Sequence, residues 1–364
     1  MLGLLCLTGC GGSGAGAPAI AGWQSLGGTG AVIAPDSAAL DSHLELSASA
    51  RVWLAFADFD PAAHTVAPVV LSRSGSNWQC VGPCNGASSN MIRPEVELAL
   101  GGETPFIAFE QAGRAANGLS VMSFTDGAWA YVGPSPFTPA ATSRNALAVG
   151  PDQSPWVAFS DYSVGGRLSV MHFGGGTWNY VGMPALSAGR AFAVRLLIGS
   201  GGQPYVVYRD AATPEDISVT TYAGGAWTAL DPIAIGLGPL AAALGPQDSL
   251  YVAAVDPGRN LHLFSWNGTR WVSSDALSGF TSQADNIGLT IGPGGIPYLA
   301  FGDASSNEAP VVLAAGASEV SVVGGAPVAT AVAAAPVSVR FQGTLFTGYT
   351  NADTLNGEVY AYFP

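Results

Sequence analysis

The sequence predicts an all-β fold, a seven-bladed β-propeller of four-stranded blades whose ring is closed by an N-terminal strand. Three observations carry this. An aromatic residue opens a strand-like run at Trp53, Phe106, Trp156, Tyr205, Tyr251, Tyr298 and Phe346. A tryptophan opens a shorter run later in the unit, at Trp78, Trp129, Trp178, Trp227 and Trp271, with Val320 in that place in the sixth unit. The seventh unit stops after its third strand at Phe363, and Trp23-Gln24-Ser25-Leu26-Gly27 near the other end matches Trp78-Gln79-Cys80-Val81-Gly82. A repeat of roughly 50 residues built only of strand-like runs implies blades arranged radially. A fourth strand borrowed from the N-terminus completes the last blade and leaves no open sheet edge in the ring.

From the N-terminus, Leu2 to Leu7 is an apolar run followed by Leu7-Thr8-Gly9-Cys10. The run is too short to span a bilayer. It resembles the bacterial lipobox. That resemblance implies a signal peptide at 1–9, lipidation of Cys10, and a flexible Gly/Ser/Ala-rich tether at 10–21. No Lys or Arg precedes the apolar run, which departs from an ordinary signal peptide. An unprocessed apolar tail is the alternative. Residues 22–364 are the propeller.

Within a unit the first strand is apolar and precedes a Gly-Pro turn, as in Ala146-Leu147-Ala148-Val149-Gly150-Pro151. The second is aromatic and β-branched, as in Trp156-Val157-Ala158-Phe159. Strands three and four meet at short turns such as Asp126-Gly127 and Asn267-Gly268, which suit hairpins because both turn residues need positive φ. A tryptophan recurring at one offset is expected to pack between neighbouring blades; sugar stacking is the other reading.

Charged residues make up 10% of the chain and the net charge is −13, with no lysine among the basic residues. An acidic surface without basic patches excludes nucleic acid as a partner and excludes charge-driven attachment to anionic lipid. A membrane is reached through the N-terminal lipid only, and a monomer is expected. Besides Cys6 and Cys10 the cysteines are Cys80 and Cys84. In an exported protein they suit a local disulfide, with two free thiols as the alternative.

Loops between strands two and three, and between consecutive blades, fall on one face, where function concentrates. Arg93, Arg144 and Arg190 lie in consecutive interblade segments on that face. A guanidinium pairs bidentately with carboxylate or sulfate, so the three suit an acidic sugar; the alternative is solvated loop charge. The Asp-box turn of propeller sialidases is not matched, since 123–129 has the wrong spacing. Asp58, Asp161, Asp210, Asp256 and Asp303 recur just after the second strand, with Gln111 and Asn351 in two units. Turn capping is one reading, and a ring of carboxylates able to hold Ca2+ or a polyol is the other. His43 and His64, near Asp58 and Asp60, form a weak candidate metal or acid–base site. No nucleophile elbow, phosphate loop or HExxH occurs. No catalytic residue and no required cofactor is therefore assigned.

Units of the form Pro-aromatic-Val-Ala-Phe-x-Asp, Leu-Ser-Val-Met-x-Phe and Gly-x-Trp-x-x-Val-Gly resemble those of bacterial exported and cell-surface propeller proteins. The resemblance covers residues 22–364. It implies the fold and not the function, since such propellers host many activities. The missing catalytic constellation, the scarcity of histidine and the lipobox point to a non-enzymatic, lipid-anchored protein of the cell envelope, at the outer membrane or cell surface, whose propeller face binds a glycan or an envelope protein. The alternative is a glycan hydrolase or lyase using carboxylates at the channel mouth. A third reading is a structural subunit of an envelope assembly, for which the Ala/Val-rich stretch 310–336 is the candidate apolar patch.

Overall fold

The computed structural model describes residues 22–28, 38–60, 64–113, 117–274, 277, 279–282, 287–316, 319–330 and 333–364. The lipobox, Cys10 and the tether lie outside these residues.

Strand β1 (Gly22–Gly28) precedes seven units. Blade one is β2 (Ala38–Leu46), β3 (Val52–Asp60), β4 (Thr65–Ser74) and β5 (Asn77–Cys80). Blade two is β6 (Met91–Gly101), β7 (Thr104–Gln111), β8 (Gly118–Thr125) and β9 (Ala128–Tyr131). Blade three is β10 (Thr142–Val149), β11 (Pro155–Asp161), β12 (Arg167–Gly174) and β13 (Thr177–Tyr180). Blade four is β14 (Ala191–Ile198), β15 (Pro204–Asp210), β16 (Thr213–Ala223) and β17 (Ala226–Ala229), with a short extra strand β18 (Ile233–Ala234) on β16. Blade five is β19 (Leu240–Leu244), β20 (Leu250–Val255), β21 (Leu261–Trp266) and β22 (Trp271–Ser274). Blade six is β23 (Gly288–Ile291), β24 (Pro297–Asp303), β25 (Ala309–Ala315) and β26 (Val320–Val322). Blade seven is β27 (Ala333–Phe341), β28 (Leu345–Asn351) and β29 (Gly357–Phe363), completed by β1 in the order β1-β29-β28-β27.

Every sheet is antiparallel between neighbours. The first strands of consecutive blades touch in the sequence β2, β6, β10, β14, β19, β23, β27 and back to β2, so the ring is closed. The predicted clasp is present: Trp23 pairs with Tyr362, Gln24 with Ala361 and Ser25 with Tyr360.

The core lies between blades, because each sheet has two faces and each needs an apolar neighbour. Phe56, Phe109, Phe159 and Phe301 in the second strands are fully buried. Within the stretch 310–336, β25 is buried along most of its length and offers no exposed patch.

The recurring tryptophan stitches blade to blade. Its indole N–H donates to a main-chain carbonyl in the preceding blade's outer segment: Trp78 to Leu26 at 2.8 Å, Trp129 to Val81 at 2.7 Å, Trp178 to Val132 at 2.7 Å, and Trp227 to Val181 at 2.6 Å. Trp271 reaches Asp231 at 2.7 Å and Trp23 reaches Val323 at 3.0 Å. The seam between blades five and six lacks this bond among the described residues, because Val320 has no side-chain donor. The Val-Gly pair that ends units one, two, three and six is thereby explained. The valine supplies the carbonyl, and the glycine makes room for the next blade's indole. At Gly82, with φ 81°, an added Cβ would lie 2.7 Å from the Trp129 ring.

Candidate functional site

The structure offers two places for a ligand, the loop-rich face and the central channel. Both are shaped by an irregularity that the repeat pattern hides. In blades one, two, three, four and seven the first strand carries a β-bulge near its start, at 40–43, 91–96, 143–146, 192–195 and 333–337. Blade five pairs without one, and blade six does so over Gly288–Ile291. A bulge inserts unpaired residues and re-aims side chains, and bulges gather at barrel rims.

On the loop face the acidic positions act first as turn caps. Asp161 accepts from the backbone N–H and hydroxyl of Ser163 and from the hydroxyls of Ser169 and Tyr180. Asp210 accepts from the N–H groups of Ala188, Gly189 and Ala212, which ties two blades together. Asp303 accepts from the backbone and hydroxyl of Ser305 and from the Ser306 hydroxyl. Asp256 bonds Asn260 and His262. Burial alone would raise its pKa, but the bonds from Asn260 and His262 outweigh that and hold it below the usual aspartate value. Asn351 takes the same place and accepts from the N–H groups of Asp353 and Thr354. Asp58 sits half-buried at the corresponding end of β3. Tyr180 is pushed up to about 12 by burial and by the adjacent Asp161 carboxylate. In blade two Gln111 stands where Asp161 stands, and it accepts from Tyr131 in the same way.

The arginines have separate surroundings. Arg93 lies on β6 inside its bulge, not in a loop, and its Nε sits 2.6 Å from the buried Glu110 carboxylate. Glu110 also accepts from the Thr142 N–H of blade three, so this pair closes a seam. Arg144 falls in the β10 bulge; the direction of its side chain is not described. Arg190 directly precedes β14 and is exposed. Its Nη2 donates to the Tyr162 hydroxyl at 2.7 Å, and its guanidinium lies 5.4 Å from the Tyr162 ring centre. The Ser143 hydroxyl is 3.2 Å from the same Tyr162 oxygen. Blades three and four thus place an exposed phenol and guanidinium together on the loop face, with the buried Ser143 hydroxyl beneath the phenol.

His43 lies on β2 and not in a loop, opposite Ala55 and three residues along β3 from Asp58. The pleat pairs it with Ala55 and turns it into the channel, where its Nδ1 lies 3.8 Å from Glu97. His64 is an exposed turn residue with φ 53°. Among the described residues no cluster of three His, Cys, Asp or Glu side chains could hold a metal ion. Cys80 and Cys84 are joined as a disulfide in the loop leaving blade one.

The channel has a volume of about 800 Å³ and is lined by the first strands of all seven blades. Register stacks its side chains in layers. Glu45 and Arg340 oppose the leading aromatics of their blades, Trp53 and Phe346, so they share a layer on adjacent blades. They form a bidentate pair at 3.1 and 2.6 Å. Two residues along the second strand, the next layer holds His43, Glu97 and Arg195, opposite Ala55, Ala108 and Val207. Above it the bulges add Glu95 and Asn145. Sequence reasoning missed these channel charges. Their signal was a charged residue interrupting otherwise apolar first strands.

No protein-family model matches this sequence, and no curated protein matches it. Solved structures share its fold. AofleA from Arthrobotrys oligospora is similar with a TM-score of 0.52 at 11% identity, over 80% of this chain and 88% of that one. The SapL1 lectin, in complex with α-methyl fucoside, gives a TM-score of 0.50 at 10% identity over 78% and 96%. A Mycobacterium tuberculosis puromycin-hydrolysing peptidase gives 0.56 at 12% identity, over 93% of this chain but 55% of the peptidase.

Proposed function

We propose that this protein is a non-catalytic glycan-binding protein of the cell envelope, tethered by lipid on Cys10, that engages its ligand on the loop-rich face. The carrying observation is the Tyr162–Arg190–Ser143 group at the junction of blades three and four. An aromatic ring suits the C–H face of a sugar, and guanidinium and hydroxyl groups suit its oxygens. A propeller of the same fold, the SapL1 lectin, holds α-methyl fucoside, which supports the reading. The acidic residues of this face are engaged in holding turns, which argues against a pair of catalytic carboxylates there.

The test is a glycan array probed with the full chain carrying Cys10→Ser, with released reducing sugar measured alongside. The expected result is binding without product, lost in Arg190→Ala and Tyr162→Ala while the unfolding midpoint stays unchanged. Released sugar would move the protein to the glycan hydrolases or lyases. Binding that survives both substitutions would remove the proposed site. Incorporation of a labelled fatty acid into the parent, absent from Cys10→Ser, tests the anchor.

A further inference from the structure

Beyond the loop face and the channel, we propose a further binding site, for a neutral pyranose, in a groove at the seam between blades four and five. It opens on the turn face, where strands one and two and strands three and four of each blade are joined. The repeat is broken at this seam. The Leu230 N–H donates to the Val219 carbonyl, as the Val181 N–H donates to Val170 and the Val132 N–H to Val121, so Leu230 stands in the valine's place. Asp231 then stands where units one, two, three and six have glycine. A Cβ at those glycines would lie 2.7 Å from the Trp129 ring at Gly82 and 3.0 Å from the Trp227 ring at Gly182. Asp231 carries that Cβ, and the joint slips by one residue: Trp271 bonds the carbonyl of Asp231 instead of that of Leu230. Trp271 is left partly exposed, while Trp78 and Trp178 are buried. A groove of about 400 Å³ lies at the loosened seam, with Leu230 in its lining.

The lining matches a sugar ring. Tyr205 of blade four and Trp266 of blade five are half-buried aromatics on its walls, and Leu250 and Pro246 add apolar surface. Such rings suit the C–H faces of a pyranose. Polar atoms of both kinds stand beside them. Gln203 uses its Nε2 on the Thr221 hydroxyl at 2.8 Å, which leaves its Oε1 to accept from outside. Asn267 uses its Oδ1 on the N–H groups of Thr269 and Arg270, which leaves its Nδ2 to donate. The Trp266 indole N–H makes no hydrogen bond among the described residues. A sugar hydroxyl both donates and accepts, so it can meet all three. A proline-rich peptide is the other ligand of an aromatic groove, but its prolines offer carbonyls alone and would leave Gln203 Oε1 unmet. The one charged residue of the described lining, Asp248, is held by blade four: it accepts from the Ser200 N–H and from the Ser200 hydroxyl, each at 2.9 Å. The described lining has no cationic side chain, so an acidic sugar has nothing to pair with and meets Asp248 instead.

The experiment is saturation-transfer NMR at neutral pH on the full chain carrying Cys10→Ser and Arg190→Ala, which silences the loop-face site. The probes are maltotriose, cellotriose, mannotriose, xylotriose, trigalacturonate and octaproline. A shallow groove binds weakly, with a Kd on the order of 1 mM, which an array washed between steps does not register. The expected result is saturable transfer to at least one of the four neutral trisaccharides, and none to trigalacturonate or octaproline. Trp266→Ala should weaken the responding trisaccharide at least fivefold. Gln203→Leu keeps the side chain's length and removes only its amide, so it should weaken that trisaccharide at least threefold even if Trp266→Ala folds poorly. No transfer to any of the four, transfer to trigalacturonate or octaproline as strong as to the best of them, or binding indifferent to both substitutions would overturn the proposal. Failure here leaves the loop-face reading standing, because the two sites share no residue.

Discussion

Trp178 is where the stitching between blades can be measured. It is 7% exposed, donates to the Val132 carbonyl at 2.7 Å, and stacks on Phe137 with ring centres 4.2 Å apart and planes 11° apart. A tryptophan buries about 150–250 Å² in such a place, which at about 25 cal/mol per Å² is worth roughly 4–6 kcal/mol as an upper bound. Trp178→Ala should therefore cost about 3–5 kcal/mol, cavity included. Trp178→Phe keeps an aromatic against Phe137 and removes only the N–H and part of the ring. It leaves the Val132 carbonyl unpaired and should cost about 1–2 kcal/mol. Trp271 makes the same bond, to Asp231, but is only partly buried, so Trp271→Ala should cost about half as much as Trp178→Ala. Guanidinium unfolding followed by far-UV circular dichroism gives all three values. The reasoning is refuted if Trp178→Ala costs no more than Trp271→Ala, or if Trp178→Phe is as damaging as Trp178→Ala.

Gly133→Ala should cost about 1–3 kcal/mol, because φ is 76° and the added Cβ would lie 2.7 Å from the Phe173 ring, whereas Gly127→Ala, with φ 80° and open space, should cost only the backbone strain of about 1 kcal/mol; chemical denaturation separates them. Arg93→Ala strands the buried Glu110 and should lower stability by about 1–2 kcal/mol without changing ligand binding, while Arg190→Ala should abolish glycan binding without changing stability, as thermal melts beside the glycan array would show. The Tyr180 hydroxyl titrates higher when folded, so its stabilising share is complete below pH 10 and is lost as pH rises toward 12. The stability gap between the parent and Tyr180→Phe should then narrow from pH 9.5 to 11.5 in urea titrations, and a widening gap would contradict the burial argument.

The blades were legible because their chemistry repeats. Trp129 and Trp178 recur at one offset with Val-Gly behind them, and that triple is both the sequence marker and the physical joint. The clasp was legible for the same reason, since Trp23 carries the marker into a segment with no unit of its own. The channel charges were not legible. Whether Glu97 faces a neighbouring blade or the axis depends on the parity of its pairing with Ala108, and the 91–96 bulge breaks that parity with residues that look like ordinary strand. His43 was misplaced by the same mechanism. It is close to Asp58 along the hairpin, but the pleat and the 40–43 bulge turn it toward Glu97 instead. Arg93 and Arg190 read alike in sequence. Only the buried Glu110 beside one and the exposed Tyr162 beside the other give them different work.

The clasp has a consequence for the order of events in the life of the chain. β1 must wait for β29, roughly 340 residues later, and closing a loop of that length costs about 5 kcal/mol of chain entropy. Until then blade seven presents an unpaired edge, and the Val323 carbonyl lacks the indole that will cover it. A chain that stops short of Gly357 has no β29, and β1 is left without its partner however well the other blades have formed. The ring thereby carries its own proof of completeness. In a finished disc β29 is covered by β1, which is the short outer strand of its blade like the fourth strand of every other; in an unfinished one the clasp strand stands bare to chaperones and quality-control proteases.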